Sequence, residues 1–163
     1  MLRDLKVKDA PRMLEWMHDE VVLKGLQPEK FRSKTLEDCV HFIESCADKR
    51  TNCHMAIVDE RDQYLGTVSL KMIDPEYNDA EFSIVLRRDA QGQGYALQAM
   101  KDILRIGFEQ YGLEEIYWNV LKRNTAAIRL YERGGFKQMT AVSKRRADRA
   151  PEDVFFYHIK KME

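Results

Sequence analysis

The chain has 163 residues, enough for a single domain with a substantial core. Lys plus Arg and Asp plus Glu each number 27, so the formal net charge is zero and gives no argument for bulk attraction to nucleic acid or to a membrane surface. No apolar run reaches bilayer length and no signal-peptide pattern stands at the start, which predicts a soluble, cytoplasmic protein.

Leu2 to Lys6 predicts a short first strand. Asp9 is placed to cap a helix through about His18, with Pro11 tolerated in its first turn and Met13, Leu14 and Met17 as its apolar stripe. Val21 to Ser33 lacks clean periodicity and contains Gly25 and Pro28, so it reads as a loop with a short helical piece. Thr35 can cap the next helix, Leu36 to about Asp48, whose apolar positions recur at helical spacing. His54 to Val58, Tyr64 to Ile73 and Ala80 to Arg87 predict three strands of an antiparallel meander, with Gly66 as a bulge or a close-approach point. Leu97 to Tyr111 is the best-patterned helix; Met100, Ile103, Leu104 and Phe108 mark one face, and Gly112 suits its stop. Ile116, Trp118 and Val120 share one side of the following strand, and Asn124 can cap a helix that ends near Gly134-Gly135. Phe136 to Ser143 and Val154 to Lys160 complete the strands, with basic Lys144 to Arg149 between them read as a solvated hairpin loop rather than an anion site. The order βααβββαβαββ is that of a mixed α/β sandwich with no second domain.

Cys39, Cys46 and Cys53 form no C-x-x-C pair, and the four histidines show no ligand spacing, so neither a disulfide nor a metal site is expected. The chemistry is concentrated in Gln91-Gly92-Gln93-Gly94-Tyr95-Ala96-Leu97, between an apolar strand and the long helix. Helix-start N–H groups lack intrahelical partners and sit at the positive end of the dipole, so the stretch is a cradle for a phosphate-bearing ligand. A Walker loop needs Lys-Ser/Thr where Tyr95-Ala96 stands, and a dinucleotide fingerprint needs glycine where Leu97 stands. A pyrophosphate site of another kind and a plain glycine-rich turn both remain open on the loop alone.

Gln91-x-x-Gly94-x-Ala96 resembles the Q/R-x-x-G-x-G/A signature of the GNAT superfamily of acetyl-CoA-dependent N-acetyltransferases. Asn124-Thr-Ala-Ala-Ile-Arg-Leu-Tyr131-Glu-Arg-Gly-Gly-Phe136 resembles that family's next motif, after one helix and one strand, as the family has it. The resemblance runs from about Ala80 to Phe136 and is greatest with the branch acetylating ribosomal-protein N-termini, polyamines and amino sugars. It implies one acetyltransferase domain over residues 1–163, built on a mostly antiparallel twisted sheet with helices on both faces and a splayed central strand pair. It also implies acetyl-CoA as co-substrate without a metal and a small-molecule or peptide amine as acceptor. Neither nucleic acid nor membrane is implied as a partner, and a homodimer is compatible.

By the same resemblance, the backbone from Gly92 to Leu97 holds the pyrophosphate, and Ile84, Val85 and Leu86 pair with the pantetheine arm like an added strand. Asn124 bonds near that arm, act as a helix cap, or do both. Tyr131 stands at the general-acid position for the leaving thiolate; its alternative role is an aromatic anchor beside Ile128. Glu81 alternates with Phe82 and so faces away from it; as a base acting through water, a partner to a lysine or arginine, or an orienter of the acceptor it serves equally. His54 and Tyr117 are weaker base candidates. Val21 to Ser33 is the stretch where acceptor choice is written if it is more than a connector. The rival to an enzyme is a non-catalytic acyl-CoA-binding module, which needs the cradle but not Tyr131.

Overall fold

Strand alternation and helical apolar spacing sort residues 1–162, the part of the chain the computed structural model describes, into one sheet with helices on both faces. The strands are β1 (Leu2–Asp4), β2 (Cys53–Val58), β3 (Tyr64–Asp74), β4 (Asp79–Leu86), β5 (Glu115–Leu121), β6 (Lys137–Gln138) and β7 (Val154–Lys160). They lie in the order β1-β2-β3-β4-β5-β7-β6, antiparallel at every pairing except β4 with β5. The helices are α1 (Ala10–Met17), α2 (Glu20–Leu23), α3 (Leu36–Ser45), α4 (Tyr95–Glu109), α5 (Thr125–Arg133) and α6 (Lys144–Ala147). This is the mixed, mostly antiparallel α/β architecture that the sequence predicts.

The period of two along each strand divides the core. Leu70, Phe82, Ile116 and Trp118 meet Met100 and Ile103 of α4 on one face. Ala56, Val58 and Tyr64 meet Met13 and Trp16 of α1 and Ile43 of α3 on the other. Gly66 is a close-approach point: a Cβ there would stand 2.2 Å from the Val85 carbonyl oxygen. Thr35 caps α3 with a reciprocal box, its hydroxyl accepting from the Asp38 N–H while Asp38 accepts from the Thr35 N–H.

Several local expectations give way to tertiary partners. Asp9 precedes α1 but does not cap it with its side chain; its carboxylate instead accepts two bonds from the Arg3 guanidinium and one from the Lys6 N–H. Pairing over Phe136–Ser143 is confined to Lys137–Gln138, because the chain then turns into α6. Most consequentially, Lys144–Arg149 is not a solvated loop. It contains α6, capped by Ser143, and its Arg146 is 9% exposed. Arg146 donates to Asp79 of β4 at 2.8 Å and to Glu115 of β5 at 3.1 Å; Arg145 also pairs with Asp79. Asp79 and Glu115 are direct cross-strand neighbours, an arrangement of like charges that is destabilising without the bridging cation.

Above that clamp the sheet opens. The β4–β5 register holds for Asp79–Glu115, Ala80–Ile116 and Glu81–Tyr117, and no pairing joins the two strands beyond it. β4 continues with β3 through Leu86, and β5 continues with β7 through Leu121. Each strand keeps its outer partner, and the two inner edges diverge as a fork.

Candidate active site

The fork leads into a cleft of about 470 Å³ that runs between the sheet, α1, α3 and the start of α5. Of the sequence-predicted site residues, Glu81, Ile84, Val85, Asn124 and Tyr131 line it together. Gln91 to Leu97 lie outside this lining, at the start of α4, and Leu86 is buried beneath the strand end.

The cradle's backbone has the form a polyanion needs. Gly92 and Gly94 adopt φ values of +75° and +87°, and a Cβ at either would meet nothing within 4 Å. The bend is therefore open on its concave side and free of side chains. Gly94 precedes α4 without offering it a side-chain cap, and among the described residues no backbone N–H from Gly92 to Leu97 has a protein acceptor. Those donors converge at the positive end of a fifteen-residue helix, which suits the pyrophosphate of a CoA thioester. Gln91 and Gln93 brace the turn by donating to the carbonyls of Leu86 (3.2 Å) and Asp89 (2.6 Å).

The fork's inner edge at Ile84–Leu86 carries unpaired backbone groups beside this cradle, so an extended amide chain can lie there as a further strand. Asn124 bonds two ways: its Oδ1 accepts from the Ala127 N–H at 3.2 Å as the α5 cap, and its Nδ2 donates to the Gly25 carbonyl at 3.3 Å. Arg123 donates to the carbonyls of Lys24 and Leu26, both at 3.0 Å. The irregular Val21–Ser33 segment is thereby tied to the start of α5, with Gly25, Leu26 and Phe31 lining the cleft.

Tyr131 is 5% exposed, its ring set between Trp118 at 5.5 Å and Tyr157 at 5.1 Å between centroids. Its hydroxyl makes no hydrogen bond among the described residues. Burial, and then the neighbouring Tyr157, push its pKa well above the usual tyrosine value. It stays a protonated donor at any physiological pH.

Glu81, 12% exposed, occupies the last rung before the fork and lies 3.4 Å from the Lys71 ammonium, its cross-strand neighbour on β3. Of the three roles that the sequence leaves open for it, pairing with a cation is therefore present. Tyr117 is buried, and its hydroxyl accepts from Arg149 Nη1 at 3.1 Å. Burial raises its pKa, as do Asp79 and Glu81, and a neutral donor of that kind is no base. His54 lies in the same cleft, 2.6 Å from the Ser69 hydroxyl, and burial followed by the Lys71 charge lowers its pKa to about 4. It is neutral at pH 7, but weakly basic. Sequence reasoning missed Lys71 and Arg149; neither belongs to a motif, and only the β3–β4 register brings Lys71 to Glu81 and the α6 docking brings Arg149 to Tyr117. Among the described residues no group of three or more His, Cys, Asp or Glu is placed to hold a metal ion.

A family model described as an acetyltransferase (GNAT) domain matches residues 1–137. The chain is 28% identical over 139 residues to an uncharacterised N-acetyltransferase, p20, of Bacillus licheniformis, across 84% of this chain and 78% of that protein. It is 32% identical over 80 residues to the spermidine N(1)-acetyltransferase of Vibrio cholerae, a match spanning 49% of this chain and less than half, 46%, of that protein. Among solved structures, the Vibrio cholerae spermidine N-acetyltransferase in complex with CoA and spermine superposes with a TM-score of 0.80, covering 98% of this chain and 94% of that one at 20% identity. A GNAT-family acetyltransferase from Bacillus anthracis gives 0.77 over 98% and 93%, also at 20% identity. The structural likeness concerns the fold. The family match takes in the cradle, the fork and the Asn124–Tyr131 helix in one alignment, and the chain belongs to the GNAT acetyltransferases, enzymes that use acetyl-CoA to acetylate an amine nitrogen.

Proposed function

We propose that residues 1–163 act as one catalytic domain that acetylates a small primary amine by direct attack in a ternary complex. The observation that carries this is the β4–β5 fork opening into a cleft that holds Glu81 and Tyr131 on its walls. The backbone from Gly92 to Leu97 binds the pyrophosphate, with Gln91 bracing it. Ile84, Val85 and Leu86 align the pantetheine, and Asn124 supports its far side. The acceptor enters between the Val21–Ser33 segment and β4.

In the chemical step the amine nitrogen bonds to the thioester carbonyl carbon, the C–S bond breaks and the nitrogen loses a proton. Glu81 takes that proton, directly or through one water, and Lys71 holds the carboxylate in position. Tyr131 gives its proton to the departing thiolate. Its raised pKa works against the transfer, but the thiolate leaves beside the same buried aromatic wall, where desolvation raises its proton affinity too. An acyl-enzyme has no support. Cys39 lines the cleft, yet burial pushes its thiol pKa up, so no thiolate is available to attack.

Spermidine acetyltransferases among the relatives support a small-amine acceptor, and the dodecameric structure of the Vibrio cholerae enzyme supports self-association of this chain as well. The test has two readings in one preparation. Acetyl-CoA at about a hundred times its dissociation constant should stabilise the fold by roughly 2.7 kcal/mol, and Gly94→Glu should abolish the shift by placing a strained, negative side chain in the cradle. An amine panel read by release of free CoA thiol then identifies acceptors. A thermal shift with no thiol release on any primary amine leaves only a CoA-binding module.

A further inference from the structure

Resting on the reading of the cleft as the acceptor site, we propose that the acceptor amine carries an anionic group, a carboxylate or a phosphate, and that Arg149 is the specificity residue that holds it.

The charges around the fork alternate. Lys71, Glu81 and Tyr117 stand in one cross-strand row on β3, β4 and β5. Lys71 pairs with Glu81 from one side, and Arg149 reaches the row from the other by donating Nη1 to the Tyr117 hydroxyl at 3.1 Å. The sequence of charge is cation, carboxylate, cation. Arg149 lines the cleft and has no carboxylate within 4.0 Å among the described residues. One of its five N–H donors is used, and the rest form a fork suited to a carboxylate or phosphate.

Its position is also built in advance. Arg149 follows α6, which Arg146 locks onto Asp79 and Glu115. The Arg146 guanidinium stacks over the Tyr117 ring at 4.1 Å, so the same tyrosine seats α6 with its face and Arg149 with its hydroxyl. Arg149 is exposed, and its bond to Tyr117 turns the guanidinium toward the cleft that it lines.

The rest of the cleft points the same way. Lys30 and Lys34 also line it and, among the described residues, form no ion pair within 4.0 Å, though the Lys34 charge acts on Asp38. The two acidic residues of the lining are both engaged, Glu81 with Lys71 and Asp38 with the Thr35 N–H at 2.8 Å. A linear polycation would meet four cations, Lys30, Lys34, Lys71 and Arg149, against two carboxylates, Asp38 and Glu81, and that excess of like charge selects against it. An amine with one nitrogen and one anion fits: the nitrogen beside Glu81, the anion on Arg149. This acceptor class differs from that named for the spermidine enzymes among the relatives.

The test compares propylamine, β-alanine, aminopropyl phosphate and spermidine as acceptors at saturating acetyl-CoA. Whichever anionic amine is preferred should exceed propylamine in kcat/KM by about ten- to a hundredfold, the range for a hydrogen bond to a charged group, and mainly through KM. Arg149→Gln should collapse that ratio, and Arg149→Lys should restore part of it. A packing role for Arg149 would instead lower all four amines alike. The proposal is overturned if spermidine or propylamine matches both anionic amines, or if Arg149→Gln leaves the ratio intact. If no amine turns over, calorimetric titration of β-alanine and aminopropyl phosphate into the protein–CoA complex still decides. Binding that Arg149→Gln abolishes supports the anion site although the catalytic reading fails, and absence of binding of either probe sinks it.

Discussion

Replacing Tyr131 by phenylalanine separates packing from chemistry at this site. The ring supplies the packing: it is 5% exposed and lies within 5.5 Å of Trp118 and 5.1 Å of Tyr157, contacts that phenylalanine keeps. The hydroxyl donates to nothing among the described residues, so its removal orphans none of them. The hydroxyl faces the cleft that Tyr131 lines, and deleting it should change stability by less than about 1 kcal/mol, in either direction. Tyr131→Ala serves as the contrast, since emptying that space should cost about 3–5 kcal/mol. Turnover should respond differently. General-acid transfer contributes about a hundred- to ten-thousandfold, so kcat and kcat/KM should fall together within that range, as for an interaction made in the transition state alone.

The assay is thiol release on the preferred amine, beside thermal unfolding with and without acetyl-CoA. Single-turnover measurements establish that chemistry limits the rate. Unchanged melting, an unchanged acetyl-CoA shift and turnover down by at least about a hundredfold would place the acid at Tyr131. Near-normal single-turnover rates would refute it, leaving Tyr131 as an aromatic anchor and the thiolate to take its proton from water. The alkaline limb adds a check of sign. The folded-state phenol pKa is raised, so the stability linked to Tyr131 is intact below the ordinary tyrosine pKa and is lost as pH rises toward the folded value. Tyr131→Phe should therefore unfold less readily in alkali than the wild type.

Two further outcomes follow from the charges around the cleft. His54, with its pKa lowered from 6.5 to about 4, contributes stability that is present above the unfolded pKa and is lost as pH falls through the folded one. Denaturant titrations should show the wild type losing roughly 2 kcal/mol more than His54→Asn between pH 7 and pH 5, and parallel curves would mean that His54 is not buried neutral. Arg146→Ala removes the cation shared by Asp79 and Glu115 and should destabilise the fold by about 3–5 kcal/mol, the range for breaking a buried pair. A loss below about 1 kcal/mol would show that Arg145 alone neutralises Asp79.

What could be read from the sequence was whatever depends on near neighbours. The Gly92–Gly94 bend, the α4 stripe and the Thr35 box are each settled within a few residues, and each stands where local pattern puts it. Lys144–Arg149 shows the limit. A run of basic residues reads as solvated because its partners are not nearby in the chain. Arg146 meets Asp79 across 67 positions and Glu115 across 31, and only the folded sheet brings those carboxylates together. Glu81 sits between these cases. Alternation gives its face, but Lys71 becomes its partner through the β3–β4 register, which depends on the turn between the strands.

The fork itself is a problem of backbone hydrogen bonds. A sheet that opens at its centre leaves facing N–H and C=O groups without partners, a loss most sheets avoid by zipping closed. Here closure is opposed from both sides. β4 is held by β3 as far as Leu86, and β5 is held by β7 as far as Leu121, so neither strand can swing across without breaking its outer ladder. The aromatic group of Phe82, Trp118 and Tyr131 packs at the branch, with Trp118 5.4 Å from Phe82 and 5.5 Å from Tyr131. Below the branch, Arg146 binds the two strands through Asp79 and Glu115. The opening is thus fixed at one end and wedged at the other. On the proposed reading, an extended amide ligand entering it would restore the missing ladder and meet Glu81 and Tyr131 at its end, so the feature that weakens the sheet would also position the chemistry.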